Sequence, residues 1–192
     1  MIAIVKYNAG NIKSVQNALN RLGYESCITD DPTSILNAEK VIFPGVGEAS
    51  TAMKYLKDKG IDEVIKSVTK PFLGICLGLQ LMCNKSEEGD TPCLGIFDTN
   101  VKQFQPNDKV PHMGWNDFAS IKGTLFQGIN VWDDLYYVHS YYAELNNDTV
   151  GICNYINPFS AALQKDNFYA TQFHPEKSAE IGEQILKNFL KL

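Results

Sequence analysis

A single thiol at a predicted strand-to-helix junction constrains this chain more than any other feature. The apolar run Pro71-Phe72-Leu73 leads directly into Gly74-Ile75-Cys76-Leu77-Gly78. A tight strand-to-helix elbow requires small residues two positions either side of its nucleophile, because a Cβ at either flank would crowd the turn. The pattern therefore predicts that the Cys76 sulfur lies above a sheet, at a helix N-terminus whose free N–H groups favour thiolate.

The order of apolar runs in the first half predicts the fold class. Strand-like and helix-like runs alternate, which favours a parallel sheet with helices on both faces. Active sites of such sheets lie at the carboxyl ends of strands, where the Gly-rich turns 8–11 and 44–47 and the elbow fall. The predicted strands are residues 2–7, 40–43 and 72–75, and the predicted helices are residues 11–22, 51–59, 62–68 and 77–84.

The second half has closely spaced strand-like runs, which predict some antiparallel pairing, and it ends with an amphipathic helix over 179–190. We expect an α/β protein: a three-layer α/β/α open sheet, mostly parallel with some antiparallel strands. The strand-like runs are residues 95–104, 135–142, 149–155, 160–165 and 167–173.

Size and charge narrow the class of protein. The 192 residues, 44% of them hydrophobic, suit a single domain over 1–192. A net charge of −5 argues against a nucleic-acid partner. The apolar run at the start is too short for a signal peptide, and no apolar stretch is long enough to span a bilayer. We expect a cytoplasmic location and no membrane partner.

The five cysteines form no C-x-x-C pair, so neither a zinc ribbon nor a redox motif is supported, and we expect no metal or cofactor. In a reducing cytosol, the cysteines other than Cys76 are interpreted as small buried hydrophobes. These are Cys27, Cys83, Cys93 and Cys153.

A thiolate nucleophile needs a proton partner, and the chain has three histidines. His174 ends a strand-like run and precedes Pro175, and Glu176 can accept a hydrogen bond from the imidazole's far nitrogen. By itself, His-Pro-Glu is more simply interpreted as a surface histidine with an unrelated glutamate. Beside the Cys76 elbow, a catalytic triad is favoured. His112 and His139 are interpreted as structural.

The elbow, extended to Gln80, and the segment Gln172–Ser178 together resemble class I glutamine amidotransferases. Three other stretches are similar to the glutaminase subunits of imidazole glycerol phosphate synthases. They are Pro44–Gly47, Lys109–Asn116 and Tyr136–Tyr142. The resemblance implies a flavodoxin-like sheet and a Cys76–His174–Glu176 triad that hydrolyses glutamine through a thioester.

The same resemblance implies roles for further residues. Gln80, one helical turn after Cys76, faces the same pocket, Glu88 holds the α-amino group of glutamine, and the backbone of Ser140 and Tyr141 grips its carboxylate. Oxyanion donors come from Leu77 and from the turn Gly45, Val46 and Gly47. Asn11, Trp115 and Lys177 face the partner.

The implied partner is a cyclase subunit of (βα)8-barrel fold, in a heterodimer. It receives ammonia and forms imidazole glycerol phosphate and aminoimidazole carboxamide ribotide in histidine biosynthesis.

Other functions are compatible with the same sequence. The segment Lys6–Asn11 keeps the Gly10 and Asn11 of the family but lacks its acidic residue, so a paralogous amidotransferase could feed another synthase, for example in amidinating a surface sugar. A catalytically silent scaffold and a different thiol chemistry at the elbow are further alternatives. Glu88 and Lys177 have a simpler interpretation as solvated surface charges, and Trp115 as a core anchor.

Overall fold

The computed structural model describes all residues, 1–192, and its elements are named in chain order. The α-helices are α1 (Ile12–Arg21), α2 (Pro32–Asn37), α3 (Ala49–Asp58), α4 (Ile61–Ser67), α5 (Leu77–Leu81) and α6 (Ala179–Leu190). The strands are β1 (Ile2–Val5), β2 (Ser26–Thr29), β3 (Lys40–Phe43), β4 (Phe72–Ile75), β5 (Lys85–Ser86), β6 (Thr91–Pro92), β7 (Asn100–Gln103), β8 (His112–Asn116), β9 (Ser120–Ile121), β10 (Leu135–His139), β11 (Tyr141–Ala143), β12 (Thr149–Asn154), β13 (Pro158–Lys165) and β14 (Phe168–Thr171).

The main sheet has eight strands in the order β2-β1-β3-β4-β14-β13-β12-β9. The five strands from β2 to β14 run parallel, and the pairs from β14 to β9 are antiparallel. The predicted α/β fold, mostly parallel with some antiparallel strands, is confirmed. Because β4 and β14 are neighbours at the centre, the Cys76 elbow and the His174 segment leave the sheet at the same edge.

Alternating residues of each central strand pack into two separate hydrophobic layers, as the two-residue period of a strand requires. In β1, Ile2 and Ile4 pack in the layer that holds α1 and α6, whereas Ala3 and Val5 pack in the layer that holds α2 to α5. All four residues are buried, which explains why the strand is a continuous apolar run. The sheet is therefore the middle of three layers.

Two small sheets, with strand orders β10-β8 and β11-β7-β5-β6, flank the main one and correct the predicted second half. The predicted strand over 135–142 is interrupted at Ser140, which leaves β10 and β11 in different sheets. The predicted strand over 95–104 is reduced to 100–103. The helix predicted over 77–84 ends at Leu81, because the chain turns back and Asn84 donates its N–H to the Thr99 carbonyl.

Helices α1, α3 and α4 agree with the prediction within one or two residues at each end, and α6 agrees at both ends, whereas α2 was not predicted. Gly23, at φ +82°, closes α1 as its position indicated. No helix combines the length and the apolar character that a membrane span needs.

Candidate active site

Cys76 stands between β4 and α5 in a conformation that non-glycine residues rarely adopt, with φ 54° and ψ −106°. An ideal Cβ on Gly74 would lie 2.5 Å from the Met82 sulfur, and one on Gly78 would lie 1.9 Å from the Phe43 carbonyl oxygen. The strained elbow and its need for glycine on both sides, predicted from the sequence, are confirmed by this geometry.

His174 and Glu176 form a buried pair next to the elbow. His174 Nδ1 lies 2.8 Å from Glu176 Oε1, and both side chains have no solvent exposure. Because a carboxylate oxygen accepts, Nδ1 carries the proton of this bond. His174 Nε2 has no hydrogen-bond partner, which leaves it available for a reacting group.

Electrostatics favour the charged form of His174. Burial alone would lower its pKa, but the charge and proximity of Cys76, together with the hydrogen bond to Glu176 and its charge, raise the pKa of His174 to about 10. Since no hydrogen bond joins Nε2 to the sulfur, the two groups interact mainly through charge. At neutral pH His174 is therefore held as the imidazolium beside the Cys76 sulfur.

Asn11, predicted to lie at the partner interface, has its side chain turned toward the triad. It adopts a left-handed conformation (φ 69°) at the N-terminus of α1, and its Nδ2 donates to Glu176 Oε1. The same nitrogen is 3.5 Å from His174 Nδ1. Trp115 (56% exposed) and Lys177 instead lie on the surface, so the interpretation of Trp115 as a core anchor does not fit.

A cavity of about 270 Å³ opens onto Cys76. Most of the residues predicted to bind substrate line this cavity: Val46, Gly47, Leu77, Gln80, Glu88, Ser140 and Tyr141. Gly45 does not line the cavity. Pro111, Val138 and His139 also line the cavity, and nothing in the spacing of those residues indicated it.

Glu88 brings a carboxylate to this cavity next to the start of α3. Burial raises its pKa, while the Ala49 N–H, 2.8 Å from Oε2, partly opposes the shift. The neighbouring Glu48 caps α3 and accepts hydrogen bonds from Ser50 and Thr51, which lower the pKa of Glu48 to about 2. The solvated-acid interpretation of Glu88 therefore does not fit, and this end of the cavity favours a cationic group.

The turn at 44–47 does not present an assembled oxyanion site in this conformation. The Leu77 N–H, expected to be a free donor, donates to the Gly45 carbonyl at 3.2 Å. A second bond, from the Gly10 N–H to the Val46 carbonyl at 2.9 Å, ties the turn to the β1–α1 segment. Gly45 also packs against the buried Tyr7 hydroxyl, which has no hydrogen-bond partner.

The two other histidines belong to a buried hydrogen-bonded ladder. His139 Nδ1 is 2.8 Å from the Tyr141 carbonyl, and its Nε2 is 3.0 Å from His112 Nδ1. Asn116 Nδ2 contacts His112 Nε2 at 3.2 Å. Burial lowers the pKa of His112 to about 4 and that of His139 to about 3, so both are neutral at pH 7. Their hydrogen bonding fits the structural role expected of them.

Fold and site together define a class of protein. The model of the family described as "Glutamine amidotransferase class-I" matches residues 3–192, and the chain belongs to this family. Among its relatives, "Imidazole glycerol phosphate synthase subunit HisH" of Bacteroides fragilis (strain YCH46) is 59% identical, over 100% of this chain and 99% of the relative. The protein of that name from Bacteroides thetaiotaomicron is 57% identical over the same shares. The predicted family is confirmed.

Solved structures place the fold in the same class. A crystal structure described as a glutamine amidotransferase superposes with a TM-score of 0.76 at 16% identity, covering 99% of this chain and 97% of the other. PurLQS from Thermotoga maritima has a TM-score of 0.72 at 17% identity, covering 99% and 97%. At these identities the likeness is one of fold alone.

Proposed function

We propose that this chain is the glutaminase subunit of an imidazole glycerol phosphate synthase. It hydrolyses glutamine to glutamate and passes the ammonia to a cyclase subunit. The observation that carries the proposal is the buried His174–Glu176 pair beside a thiol held at a strained elbow, in a chain 59% identical to a subunit of that name. The cyclase subunit then forms imidazole glycerol phosphate and aminoimidazole carboxamide ribotide in histidine biosynthesis.

The reaction begins at the sulfur. The Cys76 thiolate attacks the side-chain amide carbon of glutamine, so a C–S bond forms and the carbonyl electron pair moves to oxygen. His174 Nε2 then gives its proton to the nitrogen, the C–N bond breaks, and ammonia leaves a thioester behind. Glu176 keeps the proton on Nδ1, so that only Nε2 exchanges protons with the substrate.

Water completes the cycle. His174, now neutral, takes a proton from a water molecule whose oxygen attacks the thioester carbon. The C–S bond breaks, glutamate leaves, and Cys76 returns as thiolate beside an imidazolium. In both halves of the reaction the oxyanion needs preorganised N–H donors, for which Leu77 and the turn Gly45, Val46 and Gly47 are proposed.

The residues around the cavity suit the two charged ends of glutamine. The Glu88 carboxylate is proposed to bind the α-amino group, and the backbone of Ser140 and Tyr141 the α-carboxylate. Gln80 faces the same cavity from α5. These roles account for why a half-buried acid lies at one end of a small cavity that otherwise has few charges.

The partner is proposed to be a cyclase subunit of (βα)8-barrel fold, bound as a heterodimer. Exposed Trp115 and Met113 on β8, together with Lys177, offer the aromatic and apolar surface that interfaces favour. Asn11, half-buried at the start of α1, donates a hydrogen bond to Glu176 of the triad. It is proposed to transmit the effect of partner binding to the triad.

The occupied Leu77 N–H supports a further element of this proposal, that the isolated chain is a slow glutaminase. The Gly45 carbonyl must leave Leu77 before the oxyanion site can form. Docking of the cyclase and its ligand is proposed to favour the rearranged turn.

The test is glutaminase activity with and without the cyclase and its phosphoribulosyl ligand. We expect low activity alone, a rise of ten-fold or more in the complex, on the scale of ordinary coupling energies, and none in Cys76→Ala. Complementation of a histidine auxotroph lacking its own glutaminase is expected as well. A chain that is equally fast without its partner, or that is active yet fails to complement, would contradict the proposal.

The proposed setting is the cytoplasm. An odd number of cysteines with a thiol nucleophile suits a reducing compartment. Cell fractionation followed by immunodetection tests this location.

A further inference from the structure

A chain of buried amide groups reaches the Cys76 sulfur from within the protein. Gln172 Nε2 lies 3.6 Å from Cys76 Sγ, within the range of a hydrogen bond to sulfur. Gln80 Nε2 lies 3.1 Å from Gln172 Oε1 and 2.8 Å from the Tyr141 carbonyl oxygen. Gln172 is fully buried at the end of β14 and does not line the cavity, so it contacts the nucleophile without contacting substrate.

The direction of this chain is fixed at its far end. A carbonyl oxygen can only accept, and the Tyr141 carbonyl accepts from Gln80 Nε2 and also from His139 Nδ1. Gln80 must therefore present its nitrogen, and the second N–H of that nitrogen donates to Gln172 Oε1. The nitrogen of Gln172 is then the end that faces the sulfur. If the Gln172 amide were turned around, its nitrogen would face the Gln80 nitrogen, and two hydrogen-bond donors would point at each other.

An N–H that points at sulfur distinguishes thiolate from thiol, because it stabilises the negative form. The other hydrogen-bonding neighbour of Cys76 Sγ is the Val138 carbonyl at 3.9 Å, which can only accept and so favours the protonated form. The titratable groups around the sulfur are His174 after β14, Tyr7 after β1, His139 on β10 and Glu88 at the cavity. Of these, only His174 carries a positive charge to oppose that of the thiolate.

We propose that Gln172 is a positioning residue, which holds the Cys76 sulfur as thiolate and aims it into the cavity. Gln80, whose own orientation is fixed by the Tyr141 carbonyl, determines which end of the Gln172 amide faces the sulfur. The inference rests on the proposed role of Cys76 as the glutaminase nucleophile. In this proposal the sulfur has two stabilising neighbours. One is the His174 imidazolium, and the other is the Gln172 amide, which donates from the protein interior.

The experiment measures alkylation of Cys76 by iodoacetamide as a function of pH, without glutamine, by mass spectrometry of the peptide that contains Cys76. Gln172→Met removes the donor at similar size, and Gln172→Glu places an acceptor oxygen there. We expect the midpoint of the alkylation curve to rise by about one pH unit in Gln172→Met, the size of one charged hydrogen bond, and further in Gln172→Glu. Gln103→Met, an exposed change on β7, is the matched control and is expected to leave the midpoint unchanged.

A second measurement needs no variant. In wild-type protein labelled with ¹⁵N-glutamine, the side-chain N–H resonance of Gln172 is expected to move downfield with the same midpoint as alkylation. A midpoint that stays within about 0.2 units of wild type in a folded Gln172 variant would overturn the proposal, as would a resonance that does not titrate. Since neither readout involves glutamine, loss of glutaminase activity in the complex would refute the proposed function and leave this inference standing.

Discussion

A methyl group added to Gly45 would clash with the Tyr7 hydroxyl. An ideal Cβ at Gly45 lies 1.9 Å from Tyr7 Oη, where ordinary contact begins near 3.4 Å. Gly45 does not have a positive φ, so the cost of Gly45→Ala is steric. Tyr7 is 5% exposed and cannot swing into solvent. We expect Gly45→Ala to lower the free energy of unfolding by about 3 kcal/mol, the upper end for overpacking.

Removing the hydroxyl relieves most of this cost. The Tyr7 hydroxyl is buried without a hydrogen-bond partner, so Tyr7→Phe alone is expected to leave the free energy of unfolding unchanged or to raise it by about 1 kcal/mol. Without the oxygen, the nearest ring atom, Cζ, is 3.0 Å from the added Cβ, and a few tenths of an ångström of movement suffice. Relative to Tyr7→Phe, the double variant should lose only about 1 kcal/mol, a coupling of about 2 kcal/mol.

The assay is urea unfolding followed by far-UV circular dichroism for the four proteins of the cycle. Gly23→Ala is the matched control, because Gly23 has φ +82° and nothing within 4 Å of its added Cβ. Its cost comes from backbone strain and should add to Tyr7→Phe within about 0.5 kcal/mol. A coupling between Gly45→Ala and Tyr7→Phe below about 0.5 kcal/mol would refute the packing argument.

Three further predictions concern the titratable groups of the site. Glu176→Gln removes the carboxylate that holds the proton on Nδ1 and should reduce kcat roughly 100-fold or more, with the alkaline limb of the pH profile shifted to lower pH as the pKa of His174 falls. An unchanged profile would contradict it. Glu88→Gln should raise KM for glutamine about ten-fold or more while kcat changes little, and the reverse pattern would exclude its proposed role. Melting temperature measured against pH should peak near the ordinary histidine pKa of 6.5. The stabilisation from His174, whose folded pKa is about 10, is complete below 6.5 and is lost as pH rises toward 10, whereas neutral His112 and His139 (folded pKa about 4 and 3) destabilise the fold as pH falls below 6.5. A curve that rises steadily from pH 6.5 to 9 would contradict this assignment.

The parts of the site that could be predicted from sequence are those that a few neighbouring residues determine. The elbow is encoded by Gly74, Cys76 and Gly78, since the glycines are needed wherever such a turn occurs. His174 and Glu176 are two positions apart, so their pairing is also local. Parallel pairing of the strands that carry them follows from the β-α-β order.

Other parts depend on contacts between distant residues. Strand β8 mixes polar and apolar residues around a glycine, without the alternation typical of a strand, and it forms because it pairs with residues 135–139. The strand-like run over 135–142 divides at Ser140, whose carbonyl accepts from the Phe104 N–H. The prediction of one strand was therefore wrong, because the residues before Ser140 pair with β8 in one small sheet and those after it pair with β7 in the other.

Side-chain orientation was the least predictable property. Asn11 looks like a surface residue in the sequence, yet its amide donates to Glu176 more than 160 positions away. Gln172 appeared only as part of a motif, and its contact with Cys76 spans 96 positions. Whether the Leu77 N–H is free depends on the orientation of the Gly45 carbonyl, which glycine leaves open.

The position of β14 in the sheet has a consequence for biosynthesis of the protein. β14 lies between β4 and β13 in the centre of the sheet, yet it is made after all the other strands. A nascent chain that has already formed the Cys76 elbow still lacks the neighbouring strand, and with it His174 and the Gln172 amide. Long-range pairing of this kind forms late. We therefore expect folding intermediates that lack β14 to carry the thiol without its proton donor and to be unable to hydrolyse glutamine.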